Sequence, residues 1–332
     1  MIATRNLRNN PGDPLPMTPT DPVLSDFHIQ STDAANWSRT ATALATQLEE
    51  PWRSELREEA LSANKLSPSK EDYFLQADRQ GKTIGVARGC RLPGRMALIR
   101  NLTLLDSETD TVAQQIIQTL DRQLVSAPGS FSMVSLRNAA TTQASWFESC
   151  GYSLLSQVET VCLPLTEPVT APSPGPLQFV AGAEHRRNEL ACIIQATYQA
   201  SLDCPKLQQF RSIEDILDSY EHQGIAPTGW SFVQYKGKTI GCLLMSAFPQ
   251  QLTWELTYLG LTPEARGKGW GNQIVQYGCF LAAQHGAEMV IASVDQANQP
   301  ALSIYHQRGF IPIDQAHIYV KNSSHACTSN LR

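Results

Sequence analysis

Gly-Lys-Thr-Ile-Gly occurs twice in this chain, at Gly81–Gly85 and Gly237–Gly241, 156 residues apart. Each copy sits in a similar setting, YFLQADRQGKTIGV from Tyr73 and WSFVQYKGKTIGC from Trp230. Both read as hairpins, two apolar strands joined by a Gly-containing turn. A second pair follows in order: WFESCGY (Trp146–Tyr152) and IYHQRGF (Ile304–Phe310), 158 residues apart. Two matches with nearly equal offsets imply one fold used twice, which limits the architecture more than any local pattern does. Between the copies, PLTEPVTAPSPGP (Pro164–Pro176) holds five prolines in thirteen residues and reads as an extended linker.

The chain of 332 residues is long enough for two domains. The boundaries read as a disordered leader over 1–24, a first copy over 25–165, the Pro-rich linker over 166–176, a second copy over 177–322 and a tail over 323–332. With 42% hydrophobic residues, each half can bury a core of its own. Lys and Arg number 26 against 31 Asp and Glu, a formal charge of −5, which argues against nucleic acid held by phosphate neutralisation. The sequence contains no apolar run of about 18 residues to span a membrane. Eight cysteines are scattered without a CxxC pair, so no metal site is expected, and a reducing cytoplasm is the expected location.

In the second half, the pattern predicts a strand at 177–180 and a helix over 185–202. Ser212-Ile-Glu-Asp215 resembles a capping box opening a helix that runs to His222. The hairpin at 231–248, a strand at 252–261, a helix at 272–285, a strand at 289–294, a helix at 300–308 and a closing strand at 318–320 complete an α/β (α+β) mixed-sheet domain.

The chemistry concentrates in Leu259-Gly260-Leu261-Thr-Pro-Glu-Ala-Arg266-Gly267-Lys268-Gly269-Trp270-Gly271-Asn272. A strand enters a turn with three glycines in five residues, and a helix leaves it. Free backbone N–H groups in such a turn can cradle a pyrophosphate, and glycine leaves the approach open. Arg266 and Lys268 read as cations on its rim. Neither rival motif fits: Gly269 stands where a Walker loop requires Ser or Thr after Gly267-Lys268, and GxGxxG would place a glycine at Asn272.

RGKGWG resembles the Arg/Gln-x-x-Gly-x-Gly/Ala motif of the GCN5-related N-acetyltransferase (GNAT) superfamily. Asn298-Gln-Pro-Ala301-Leu-Ser-Ile-Tyr305-His-Gln-Arg-Gly309-Phe310 resembles the same family's second signature, N-x-x-A-x-x-x-Y-x-x-x-G-F. The two-copy layout is similar to the mycothiol synthase type, in which a Glu precedes the pyrophosphate loop; Glu255 takes that place. The resemblance implies two tandem GNAT folds, acetyl-CoA as co-substrate without a metal, and transfer to an amine within a ternary complex. A small primary amine is the expected acceptor, with a protein amine, or a non-catalytic acyl-CoA sensor, as the other readings. A monomer and a homodimer are both compatible.

Glu255 would be the general base, the alternative being a solvent-facing strand carboxylate; alternation places it with Thr257 and Leu259. Tyr305, seven residues after Asn298 and so two turns along one helix face, would protonate the CoA thiolate, unless it is simply a half-buried aromatic. The backbone of Leu259, Gly260 and Leu261 would meet the pantetheine and the oxyanion. Asn298 either bonds CoA or caps a helix. Asp203 could hold a substrate ammonium or belong to an ordinary turn, and Thr257 would line the acceptor side. The first half lacks all of this: DSETDTVAQ (Asp106–Gln114) carries three acids and no glycine, Phe147 replaces the Tyr, Ala140 the Asn, and 92–105 holds no carboxylate. It reads as a non-catalytic copy.

Overall fold

The computed structural model describes residues 26–65, 71–105, 110–125, 129–137, 141–173, 175–224 and 229–322. The leader 1–24, the tail 323–332, residues 106–109 and Ala140 lie outside the described residues. The first half runs β1 (His28–Thr32), α1 (Ala34–Ala45), α2 (Trp52–Lys65), β2 (Asp72–Arg79), β3 (Lys82–Leu92), β4 (Met96–Leu104), α3 (Asp110–Leu124), β5 (Phe131–Arg137), α4 (Thr141–Ser149) and β6 (Ser153–Pro164). The second half repeats that order: β7 (Leu177–Ala181), α5 (Arg187–Tyr198), α6 (Ile213–Glu221), β8 (Ser231–Tyr235), β9 (Lys238–Phe248), β10 (Thr253–Leu261), α7 (Trp270–Gln284), β11 (Met289–Asp295), α8 (Gln299–Gln307) and β12 (Ile311–Asn322).

All twelve strands form one mixed sheet, ordered β1-β2-β3-β4-β5-β12-β6-β11-β10-β9-β8-β7. The halves interlock at its centre. Strand β6 of the first half pairs with β11 of the second, Cys162 opposite Ile291. Strand β12 of the second pairs with β5 of the first, Val134 opposite Tyr319. The exchanged strands also pair with each other, antiparallel.

The repeated hairpins turn through Gln80-Gly81 and Lys236-Gly237, all four at positive φ between 49 and 77°. Two successive left-handed residues are the requirement of a type I′ turn, which matches the twist of the flanking strands. Helices cover both sheet faces in each half. In the second, Ile274, Val275 and Cys279 of α7 pack on Leu243, Met245 and Leu256, whereas Leu190, Ile194 and Leu217 of α5 and α6 pack on Phe232, Cys242 and Leu244.

Several boundaries differ from the sequence expectation. α5 stops at Tyr198 because Ala200 takes φ 50°, which no helix continues. α7 begins at Trp270, two residues before the predicted start, with Gly269 as its left-handed N-cap. The closing strand spans twelve residues, because its early part pairs with β6 and its late part with β5 as well.

Candidate functional site

The site lies where β10 and β11 part. They pair in parallel only from Thr253 opposite Met289 to Glu255 opposite Ile291, and beyond Glu255 no described strand pairs with that edge of β10. On its other side β10 stays paired with β9, but the register slips between Leu256 and Tyr258, leaving Thr257 as a bulge. A bulged residue stands outside the ladder and re-aims its neighbours. The bulge corrects the alternation read from sequence: Tyr258, not Leu259, follows Glu255 on the face covered by α5 and α6. Leu259 turns to the α7 face. The Thr257 hydroxyl is bonded to Ser246 Oγ at 2.6 Å.

Glu255 is half-buried. Its Oε2 accepts from Gln223 Nε2 at 2.7 Å, and burial pushes the carboxyl above its ordinary range. Raising the pKa strengthens a base and brings it closer to working pH. Gln223, just past α6, was not singled out by sequence, because nothing local marks a glutamine as the partner of a residue 32 positions away.

Beyond Leu261 the chain makes a 3-10 turn at Pro263–Ala265 and then the glycine loop. Gly267 and Gly269 take φ 72 and 74°, and a Cβ added to either meets nothing within 4 Å. The conformation thus demands glycine while the concave side remains open. Helices α1, α6 and α8 are each capped by a side chain, from Asp33, Ser212 and Asn298; α7, like α5, has none, so no side chain occupies the first N–H groups beside the open glycine turn. Lys268 stands exposed, its ammonium 5.0 Å from the Trp270 ring, which leans on Tyr235.

Three residues of the motif do other work than expected. Arg266 is not a rim cation: its guanidinium donates to the carbonyls of Leu261 at 3.0 Å, Ala200 at 2.9 Å and Thr197 at 2.6 Å, fastening the end of α5 to the end of β10. Gly271 is a packing glycine, since a Cβ there would lie 2.5 Å from Ile304 Cδ1 of α8. The Asn272 side-chain carbonyl accepts from Arg308 Nε and joins α7 to α8. Gly260 is overlaid by Thr197 and Tyr258, whose oxygens would sit 2.6 and 2.7 Å from an added Cβ.

Asn298 caps α8, accepting from Ala301 N–H at 3.4 Å, and also bonds Asp203. Asp203 Oδ1 accepts the Asp295 N–H at 3.1 Å, which holds the segment after α5 against the end of β11. Tyr305 is 6% exposed and leans on Phe310 at 5.2 Å; burial, then the charge of Asp203, hold its phenol well above the usual value, so it stays protonated. A protonated phenol can donate a proton but cannot act as a base. No group of His, Cys, Asp and Glu suited to a metal occurs among the described residues, and no described helix is long and apolar enough to cross a membrane.

The fold and site define a two-copy mixed-sheet protein with an uncapped glycine-loop helix beside a splayed strand pair in its second copy. Residues 194–310 match the model of the Acetyltransferase (GNAT) family. The chain is 25% identical over 162 residues to a mycothiol acetyltransferase of Streptomyces bingchenggensis, covering 48% of this chain and 53% of that protein. It is 34% identical over 67 residues to a mycothiol acetyltransferase of Corynebacterium glutamicum, covering 20% and 23%. The chain thus spans about half the length of the first of these relatives and under a quarter of the second. A GCN5-related N-acetyltransferase from Sphaerobacter thermophilus superposes over 90% of this chain and 96% of its own, with a TM-score of 0.62 at 15% identity. A tandem GNAT protein from the clavulanic acid biosynthesis pathway covers 89% and 98%, with a TM-score of 0.52 at 11% identity. Residues 194–310 thus match the GNAT family, and the chain as a whole shares the tandem fold of these solved structures.

Proposed function

We propose that the protein is an acetyl-CoA-dependent N-acetyltransferase whose second copy, over about 177–322, binds the cofactor and carries the chemistry. Acetyl-CoA is a substrate of the proposed reaction. The observation that carries the reading is the joint placement of Glu255 at the last paired residue before the splay and the open Gly267–Gly269 cradle beyond it. In this reading the pyrophosphate lies on the backbone N–H groups of Gly267 to Asn272, with Lys268 alongside, and the free edge of β10 from Leu259 to Leu261 pairs with the pantetheine.

An amine acceptor enters on the α5–α6 face. Glu255 takes its proton as the nitrogen attacks the thioester carbonyl; the pKa of an alkylamine, about 10, makes a base necessary near neutrality. The bulged Thr257 peptide, outside the β9 ladder, is placed to stabilise the oxyanion. Tyr305 gives its proton to the departing CoA sulfur. The attack is direct: Cys204, the cysteine lining the adjacent pocket, is pushed up to about 12 by burial and is a poor nucleophile. The first copy, over about 25–165, braces the second. Release of CoA thiol on mixing acetyl-CoA with a panel of primary amines tests the reading; acetylated amine with loss of turnover in Glu255→Gln is the expected result. Binding of acetyl-CoA with no turnover of any small or peptide amine would replace it with a sensor role.

A further inference from the structure

On the α5–α6 face lies a cavity of about 100 Å³ whose lining includes Tyr198, Asp203, Cys204, Arg211, Tyr220 and Tyr258. Tyr258 follows Glu255 on that face of β10, and Gln223, which holds Glu255, follows Tyr220 by three residues. The cavity therefore lies on the same face of the sheet as the base, the acceptor side.

Its charges are unequally committed. Asp203 is engaged by the Asp295 N–H and by Asn298. Asp215 is held by Arg95 and Ser212. Arg211 has no carboxylate partner among the described residues. Its Nη2 donates to the Asp215 carbonyl oxygen at 2.8 Å and to Ser219 Oγ, while its Nε is buried with no hydrogen-bond partner. Removing a guanidinium from water without an anion is costly, so such a cation beside an open cavity calls for a negatively charged partner.

The phenols can be counted in the same way. Thr197 gives its proton to the Ile194 carbonyl, so Tyr258 must donate its own to Thr197. Tyr198 and Tyr220 share one hydrogen bond at 3.2 Å, which uses one of their two protons and leaves the other to donate. Burial raises both phenols, which keeps them protonated. The uncommitted donors on the cavity are thus a guanidinium and one phenol O–H, with Ser201, Asp203 and Gln208 completing its polar lining, while the Tyr220 and Tyr258 rings offer apolar walls. Its size suits a carboxylate and a short aliphatic stem, with water itself occupying about 30 Å³.

We infer that this cavity binds the carboxylate of the acceptor, so that the substrate is an amine carrying a carboxylic acid, with Arg211 the residue that selects it. The inference rests on the transferase reading above. A series of ω-amino acids and matched alkylamines, tested with acetyl-CoA at equal concentration, separates the two. The wild type is expected to show kcat/KM at least ten times higher for the acid than for the amine of equal length at one chain length, the effect of about one charge-assisted hydrogen bond. Arg211→Gln should lower kcat/KM for that acid at least tenfold more than for the plain amine, with Arg211→Lys between, because a lysine keeps the charge but not the fork. Tyr220→Phe should erode the preference through KM. Equal kcat/KM for acids and amines overturns the carboxylate site while leaving the transferase standing, as does a preference that survives in Arg211→Gln. Preference for an aminoalkyl phosphonate over the acid also overturns it. No turnover of either series overturns the carboxylate site, and no turnover of the wider panel of small and peptide amines overturns the transferase reading as well. Because the wild-type panel decides alone, the test survives a variant that does not fold.

Discussion

Strands β4 and β10 are the same strand built twice. Each has nine residues, each pairs in parallel with the next strand only at its start, and each bulges at its fifth residue, Arg100 in one and Thr257 in the other. Leu98 occupies the place of Glu255, and Phe147, 1% exposed, the place of Tyr305, even keeping an edge-on ring partner at 5.2 Å in Tyr152. The first half has also kept a cleft at its splay, about 400 Å³, now lined by Glu55, Glu58, Glu59, Arg100 and Phe147. Splay and bulge belong to the fold, since both halves have them; the carboxylate, the phenol and the glycine loop are what the proposed chemistry adds.

The first half has a further use. Its β3–β4 turn lies against α6: Arg95 forms a two-pronged ion pair with Asp215, one contact at 2.8 Å, and a Cβ on Gly94 would collide with the Asp215 carbonyl oxygen. Phe131 of the first half stacks on Phe210 at 5.8 Å, and Leu207 joins that cluster. The segment between α5 and α6, which lines the proposed acceptor pocket, is thus held from outside by the other copy.

The largest effect expected is from Glu255→Gln, which should lower kcat by about 10²- to 10⁴-fold at neutral pH, the usual worth of a general base. The reciprocal Leu98→Glu should leave kcat unchanged; a gain would show that the first copy is competent. The wild-type kcat/KM should fall on acidification with a midpoint above the ordinary Glu value, because burial raises Glu255, and this limb should vanish in Glu255→Gln. Tyr305→Phe should cost about tenfold in kcat if the thiolate needs its proton, measured by CoA release with saturating substrates.

A smaller effect separates brace from bystander. Asp215 is held below its usual range by Arg95 first, then by Ser212. Its stabilisation is therefore present above the unfolded carboxyl value and is lost as pH falls through the lowered folded value. Asp215→Asn, which breaks the ion pair and the capping box, should cost about 2 kcal/mol in denaturant unfolding near pH 7, and less at strongly acidic pH. An equal cost at all pH values would deny the ion pair its role.

The parts legible in the sequence were those with a local cause. Periodicity placed the second-half elements, Ser212-x-x-Asp215 announced its capping box, and Gly267 and Gly269 announced the loop. The strand exchange was not legible, because β6 and β12 are strands of similar length whose patterns fit either neighbour. The bulge at Thr257 left no mark, since a β-branched residue suits a regular strand equally well, and so the face of Leu259 was misread. Arg266 reads as a cation on any anion-binding loop; only the fold brings the carbonyls of Thr197 and Ala200 within its reach.

The most direct test of the central claim, that only the second copy keeps a working cofactor site, is calorimetric titration of acetyl-CoA into the wild type and Gly269→Glu. The account predicts one binding event per chain in the wild type and none in the variant, whose carboxylate would point into the open side of the cradle. Two events, or one that survives in Gly269→Glu, would place the cofactor elsewhere and contradict it.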